Sequence, residues 1–422
     1  MNILLLGSGG REHALAWKLA QSPLCDRLYA APGNPGIASS ADLVDLNLSD
    51  HDAVRAFCQT NHIGLVVVGP EQPLVEGIAD ALRAANIPVF GPGAAAAQLE
   101  GSKAFTKALC DEAGIPTARY ARCDSFADAL AAIGGFGLPV VVKADGLAAG
   151  KGVIIAETEG EAHAALETIF DGAFGAAGSS VVIEEFLTGE EVSFFALTDG
   201  KTVVPFGSAQ DHKRVGDGDI GLNTGGMGAY SPARVFTPEL QAEVMARIVE
   251  PTVACLAARG TPYNGVLFAG LMLTPDGPQL IEYNCRFGDP ECQVLMLRLE
   301  DDLAALLLSV AEGRLLAASP RLSDAPAITV VMAAAGYPGT PEKGAIITLP
   351  ETAEGVQIFH AGTAWADGEL IANGGRVLNV TTTRRTLAEA RADTYLTVDR
   401  IAFPGGFCRR DIGWRELARG AH

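Results

Sequence analysis

A chain of 422 residues exceeds what one hydrophobic core usually supports, so two to four cooperating modules are expected, and a hydrophobic fraction of 48% is ample to fill them. A formal net charge of −19 repels phosphate at long range, which excludes nucleic acid and anionic membrane as partners and makes any phosphate site a local one. No run reaches the roughly 18 apolar residues of a membrane helix, and eight cysteines without a Cys-x-x-Cys pair or matching histidines predict reduced thiols and no zinc site.

The opening run Met1-Asn2-Ile3-Leu4-Leu5-Leu6 is apolar, lacks a basic leader and enters a glycine turn. It reads as a buried strand and not a signal peptide, and a cytoplasmic protein is expected. Strand-like runs at 3–6, 27–31, 65–68 and 88–90 alternate with helix-like runs at 11–21 and 77–85, the rhythm of a parallel sheet covered by helices. The loops at 7–10, 31–34, 69–71 and 91–93 follow the carboxyl ends of those strands, where open α/β sheets bind ligands.

A second unit begins near 101–103 with a helix at 104–113. Strands follow at 140–143, 152–155, 181–184, 192–197, 266–273 and 279–283, around a glycine-rich stretch at 216–228. From about Pro326 the pattern changes to short strands with proline and glycine turns, and a helix at 387–398 opens with Thr386 and Glu389 in capping-box spacing. Three lobes are predicted, 1–101, 102–320 and 321–422: a parallel α/β unit, an α+β unit and a small β-rich unit.

Three segments carry chemistry. Residues 143–153 place Lys143 at the end of an apolar strand before a glycine loop whose amides can fold over phosphates. The loop is not a Walker A motif, because Gly152 follows Lys151 where Ser or Thr is required, and a plain hairpin is the competing reading. Residues 181–193 run an apolar strand into consecutive carboxylates: backbone at Glu185, Phe186 and Leu187 suits an adenine edge and Glu191 suits ribose hydroxyls, against a bland acidic turn. In 280–291, period-two alternation sends Glu282 and Asn284 to one face, hard oxygen ligands suited to magnesium, although an Asn-stabilised turn competes for Asn284.

In this order the segments resemble the ATP-grasp superfamily and, over essentially the whole chain, its phosphoribosylamine–glycine ligase family. The narrower resemblance rests on Gly7-Ser-Gly-Gly-Arg-Glu-His-Ala14, Pro32-Gly-Asn34, Val68-Gly-Pro-Glu71, Leu99-Glu-Gly-Ser-Lys103, Gln210-Asp-His-Lys-Arg214, Asn223-Thr-Gly-Gly-Met-Gly-Ala-Tyr-Ser-Pro232 and Asn284-Cys-Arg-Phe-Gly-Asp-Pro-Glu291. It implies ligation of glycine to 5-phosphoribosylamine with ATP and Mg2+ or Mn2+ through a glycyl phosphate, by a monomer or weak homo-oligomer.

The resemblance further implies that Lys103 and Lys143 contact ATP phosphates, Glu184, Glu185, Phe186 and Leu187 the adenine, Glu191 the ribose, and Glu282 and Asn284 the metal. It sets Asp211, Lys213, Asn223, Thr224, Gly226, Arg286 and Asp289 around the reacting groups. Gly9, Gly10, Arg11, Asn34 and Glu71 face phosphoribosylamine. Arg286 suits the glycine carboxylate, Asp211 or Asp289 its ammonium, and the glycine-rich segments 144–152 and 216–228 suit a closing lid.

Two departures stand out. The strand before Glu282 reads Phe268-Ala269-Gly270-Leu271, without the extra metal-binding acid of many superfamily members, and Leu222 stands where a proline is expected in the flap. A dehydrogenase is the rival for Gly7-x-Gly9-Gly10, but the third glycine and the ribose-binding acid are missing. Cys285 is a candidate nucleophile that alternation turns away from Glu282 and Asn284, favouring a buried small residue. His13 and His212 read equally as hydrogen-bonding or solvated residues. A noncatalytic nucleotide-binding regulator conflicts with Arg286, Asp289 and the 223–232 segment, and another ATP-grasp carboxylate–amine ligase is the nearest alternative in chemistry.

Overall fold

The computed structural model describes residues 1–147, 152–173 and 175–420. The first hundred residues form a five-stranded parallel sheet in the order Asp42–Leu43, Arg27–Pro32, Asn2–Gly7, Ile63–Val68, Val89–Phe90. Its middle strands are buried on both faces, which is why they read as unbroken apolar runs. The predicted helices appear at Gly10–Leu19 and Ile78–Ala84. The helix His51–Thr60 was not foreseen, although Val54, Phe57 and Cys58 at helical spacing turn one apolar face to the core and Asp50 caps it by accepting the Ala53 N–H.

The glycine turn after the first strand holds a side chain of the chain itself. The Glu12 carboxylate, 2% exposed, accepts the Gly9 N–H and the Arg11 Nε–H, both at 2.6 Å. A Cβ at Gly7, Gly9 or Gly69 would lie 2.5, 2.7 or 2.1 Å from Glu12 atoms, so glycines at the ends of two neighbouring strands clear the space that Glu12 fills. A dinucleotide pyrophosphate needs those amides, and here an internal carboxylate already takes one.

Beyond residue 101 lie two antiparallel assemblies. A four-stranded sheet, ordered Tyr120–Cys123, Val181–Glu185, Val140–Ala144, Val153–Ala156, carries the helices Phe126–Ile133 and Glu159–Thr168. An eight-stranded sheet follows the order Gly277–Asn284, Asn264–Thr274, Glu190–Asp199, Val203–Asp211, Gly228–Ser231, Ala327–Ala333, Arg376–Thr383, Val356–His360. Gly228–Ser231 pairs with strands on both sides, so the sheet passes without a break from the central residues into the C-terminal ones. A flap hairpin, Arg214–Gly216 with Ile220–Asn223, projects from it. The helix Leu387–Val398 starts with the foreseen reciprocal cap of Thr386 and Glu389.

One apolar core joins Leu4, Leu6 and Val66 of the parallel sheet to Phe194, Leu267 and Leu271 of the long sheet. Among the described residues no helix is long and apolar enough to cross a membrane.

The Glu12 cradle gives a stability prediction. Gly69→Ala should cost about 1–3 kcal/mol in urea unfolding, the usual range for overpacking a rigid site. The same change in a Glu12→Ala background should cost clearly less, because the clashing atoms are gone.

Candidate active site

The four-stranded sheet, the edge of the long sheet, the flap and the loops of the parallel sheet enclose a cleft of about 760 Å3. Every residue that the resemblance sets at ATP, metal or substrates lines it except Gly9, Gly10, Asn34 and Gly226. Those four are engaged elsewhere. The Gly9 N–H is taken by Glu12. Gly10 packs where a Cβ would meet Asn379 Nδ2 at 2.3 Å. Asn34 Nδ2 donates to the carbonyls of Ser8 and His360, and its Oδ1 accepts the N–H groups of Gly36 and Ile37. Gly226, at φ +113°, donates to Thr224 Oγ1.

On the nucleotide side, register pairs Val141 with Glu184, so Lys143, two residues on, shares their face. Its Nζ lies 2.9 Å from Glu184 Oε1 and donates to the Ile281 carbonyl. Lys107, one helical turn after Lys103, sits 3.3 Å from Glu184 Oε2. All three groups are nearly inaccessible, so one carboxylate is shared between two ammoniums and leaves a net positive floor. Lys103 Nζ reaches the Gly146 carbonyl; burial lowers its pKa, with Glu282 pulling it back up.

The acid at 184 is thus spent on lysines. Beside it the Glu185 carboxylate accepts from Arg119 N–H and Nε–H, and the Glu185 N–H donates to the Arg119 carbonyl. Among the described residues no backbone hydrogen bond involves Phe186 or Leu187, both of which line the cleft, so their peptide edges are free. Residues 148–151 of the glycine loop, including Lys151, lie outside the described residues.

Glu282 and Asn284 share one face of Gly277–Asn284, opposite Gly270 and Phe268 of the neighbouring strand. A Cβ at Gly270 would approach Glu282 Cγ to 3.3 Å, so the glycine gives the carboxylate room. Burial alone would raise the Glu282 pKa, but Lys213, Lys143, Lys103 and Arg286 together hold it below the usual carboxylate value. Among the described residues no group of three His, Cys, Asp or Glu stands ready for a metal. A carboxylate beside an amide oxygen fits a hard cation that takes its other ligands from phosphate and water.

The opposite wall is rich in carboxylates. Lys213 pairs with Glu191 at 2.5 Å; burial works against its charge, but Glu191, Asp211 and Glu282 raise its pKa well above normal. Burial pushes Asp211 up to about 7 against the pull of Lys213, with Glu291 and Glu191 adding to the rise, and burial likewise raises Glu291. Among the described residues no hydrogen bond reaches the Asp211 carboxylate, whereas Asp289 already accepts from Arg11 N–H and Gln293 Nε2. Arg286 is committed to Glu100 at 2.8 Å, Glu71 at 3.3 Å and the Phe287 carbonyl. Arg11, 8% exposed, spends its Nε on Glu12 and its Nη1 on the Phe287 carbonyl. Asn223 and Thr224 close the cleft from the flap, where Thr224 N–H and Oγ1 both donate to the Lys213 carbonyl.

Sequence reasoning missed Lys107, Glu100, Glu291 and Arg376, all on the cleft wall. Helical spacing from Lys103 was a signal for Lys107, and Glu100 and Glu291 sit at the ends of recognised segments. Nothing marked Arg376, which reaches over from the C-terminal part to the carbonyls of Gly225 and Asp289. Both ambiguous histidines are buried: His13 Nδ1 accepts the His360 N–H and burial drops its pKa to about 3, while His212 Nε2 accepts the Gly413 N–H. Cys285 is buried, donates to Glu100, and burial pushes its thiol well up, the opposite of an activated nucleophile.

Comparison with known proteins matches this geometry to a family. Residues 1–100 match the model of the phosphoribosylglycinamide synthetase N domain, 101–292 its ATP-grasp (A) domain and 327–415 its C domain. A phosphoribosylamine–glycine ligase of Mesorhizobium japonicum is 64% identical over 421 residues, and one of Brucella melitensis 59% over 422, each comparison covering 99% of both chains. The crystal structure of the Thermotoga maritima phosphoribosylamine–glycine ligase superposes with a TM-score of 0.87 at 34% identity, covering 98% of this chain and all of that one.

Two measurements test the electrostatics. Lys143→Ala leaves Glu184 paired with Lys107 and should cost about 1 kcal/mol or less, whereas Glu184→Ala strands two buried ammoniums and should cost about 3 kcal/mol; the double variant should fall short of the two single costs summed by about 1 kcal/mol or more. Additive costs would mean that the pair does not interact. Asp211, with its pKa raised to about 7, resists ionisation in the folded chain while the unfolded chain ionises near 4. Its penalty therefore grows as pH rises from about 4 to 7 and is complete above that. Asp211→Asn should stabilise the ligand-free protein more at pH 8 than at pH 5; an equal effect at both would refute the raised pKa.

Proposed function

The chain belongs to the phosphoribosylglycinamide synthetase family, and we propose that its cleft joins glycine to 5-phosphoribosylamine, forming glycinamide ribonucleotide, ADP and phosphate in de novo purine biosynthesis. The observation that carries this is the division of one cleft into a lysine-rich half and a carboxylate-rich half, with Glu282 and Asn284 between them. In this reading residues 1–101 bind phosphoribosylamine, 102–320 bind ATP, metal and glycine, and 321–422 complete the cleft. In the same reading the enzyme is a monomer or weak homo-oligomer working in the cytoplasm.

Glycine's carboxylate is a poor acyl donor because its leaving group would be oxide. Its oxygen therefore attacks the γ-phosphorus of ATP, ADP leaves, and a glycyl phosphate forms whose leaving group is phosphate. Lys103 and Lys143 neutralise the phosphates as charge moves, and the free peptide edges of Phe186 and Leu187 take the adenine. Mg2+ or Mn2+, held by Glu282 and Asn284, would supply further charge on the phosphate oxygens.

Glycine is oriented by its two charges. Its ammonium seats at Asp211 with Glu291 and not at Asp289, whose oxygens are already occupied. Arg286 grips the carboxylate by exchanging Glu71, the longer of its two pairs. The amine of phosphoribosylamine, entering past Arg11 and Glu71, attacks the acyl carbon, and phosphate departs with one of glycine's oxygens.

ADP release should require glycine and freshly made phosphoribosylamine together. Glycine with heavy oxygen in its carboxylate should deliver one labelled oxygen to each phosphate released. Unlabelled phosphate would mean that ATP is hydrolysed by water, and the acyl-phosphate route would fall.

A further inference from the structure

The flap is fixed from outside the cleft. A two-stranded hairpin of three and four residues, paired only as Arg214 with Asn223 and Gly216 with Ile220, has little stability of its own. Its tip exposes Ile220 and Leu222, so apolar packing does not hold it. The holdfast is residues 409–415 of the C-terminal part. Arg409, its side chain fully buried, clasps Asp411 with Nε at 2.8 Å and Nη2 at 2.7 Å. From there its Nη1 reaches Asp219 Oδ1 at 2.8 Å and the Arg214 carbonyl at 3.0 Å. Asp411 also accepts the Gly218 N–H, Asp217 accepts the Arg410 N–H, and Arg415 takes the second oxygen of Asp219.

We propose that Arg409 is a positioning residue of the ligation, one that sets the flap over the acceptor half of the cleft and so keeps water from the acyl phosphate until the amine arrives. The inference rests on the function proposed above. A buried guanidinium that ties the first flap strand, at Arg214, and the flap turn, at Asp219, to Asp411 beside it is a directional device, because its planar fork fixes where each partner sits. The residues it places by this route, Asp219, Asn223 and Thr224, line the cleft beside Lys213 and Asp211. If the flap drifts, water attacks the acyl carbon of glycyl phosphate, the bond to the phosphate oxygen breaks, and glycine and phosphate are released. The net result is ATP and water giving ADP and phosphate, with no amide formed.

The test uses the full chain and Arg409→Lys, which keeps the charge and loses the fork, with Asp411→Ala as an independent release of the same clasp. ADP and glycinamide ribonucleotide are counted with ATP, Mg2+, glycine and freshly made phosphoribosylamine, and flap amide exchange is followed by mass spectrometry. Wild type should make one product per ADP. Both variants should raise ADP per product about threefold, with faster exchange over 214–224 and an unchanged KM for ATP. Folded variants that stay at one to one, whether or not turnover slows, would overturn the proposal and leave Arg409 a merely structural residue. Wild-type ADP release that ignores glycine and the amine would instead sink the ligase reading itself.

Discussion

Lys103, Lys107 and Lys143 must crowd into one cleft before any triphosphate arrives, and like charges that close repel by a few kcal/mol even at an effective dielectric near 20. Glu184 makes the crowding possible. Its two oxygens face two different lysines, at 2.9 and 3.3 Å, and the antiparallel register with Val140–Ala144 leaves it no other direction. Burial works to deprotonate Lys103 and Lys107, while Glu282 and Glu184 work to keep them charged. The local excess of positive charge survives inside a chain of net −19, as a phosphate site in so acidic a protein requires.

The acceptor half inverts this arrangement. Lys213 is surrounded by Glu191, Asp211 and Glu282, with Glu291 nearby, and burial of the acids raises Asp211 and Glu291 in spite of that lysine. For the ligation proposed above, such a cleft would take glycine with its ammonium to the acids and its carboxylate to Arg286 and the lysines. Orientation and activation therefore follow from one charge gradient.

What the sequence disclosed and what it hid divide along the reach of the interactions. Strands such as Ile63–Val68 were legible because burial on both faces writes itself as a continuous apolar run, and Glu282 with Asn284 because alternation is local. The Glu12 cradle was not, since Gly69 meets Glu12 only after two strands are laid side by side. The resemblance sets Glu184 beside adenine, but its ion pairs stayed hidden because Lys107 and Lys143 come from a helix and another strand. Arg376 and Arg409 carry no local signal at all, because each acts on a loop more than a hundred residues away.

These distant contacts have a common character. Where the parallel sheet meets the C-terminal strands, Asn34 donates to the His360 carbonyl and His13 accepts the His360 N–H; where it meets the central part, Arg11 donates to the Phe287 carbonyl. Apolar surfaces tolerate sliding, but a buried hydrogen bond displaced by an ångström leaves an unpaired polar group costing about 1–3 kcal/mol. The modules are thereby held in register around a cleft whose two halves must face each other. Burial keeps His13 and His360 at about 3 and about 4, so neither ring gains a proton near neutrality. The joint therefore keeps the same donors and acceptors across the range in which phosphates and carboxylates on both sides of the cleft are charged, and its geometry does not titrate with the chemistry it supports.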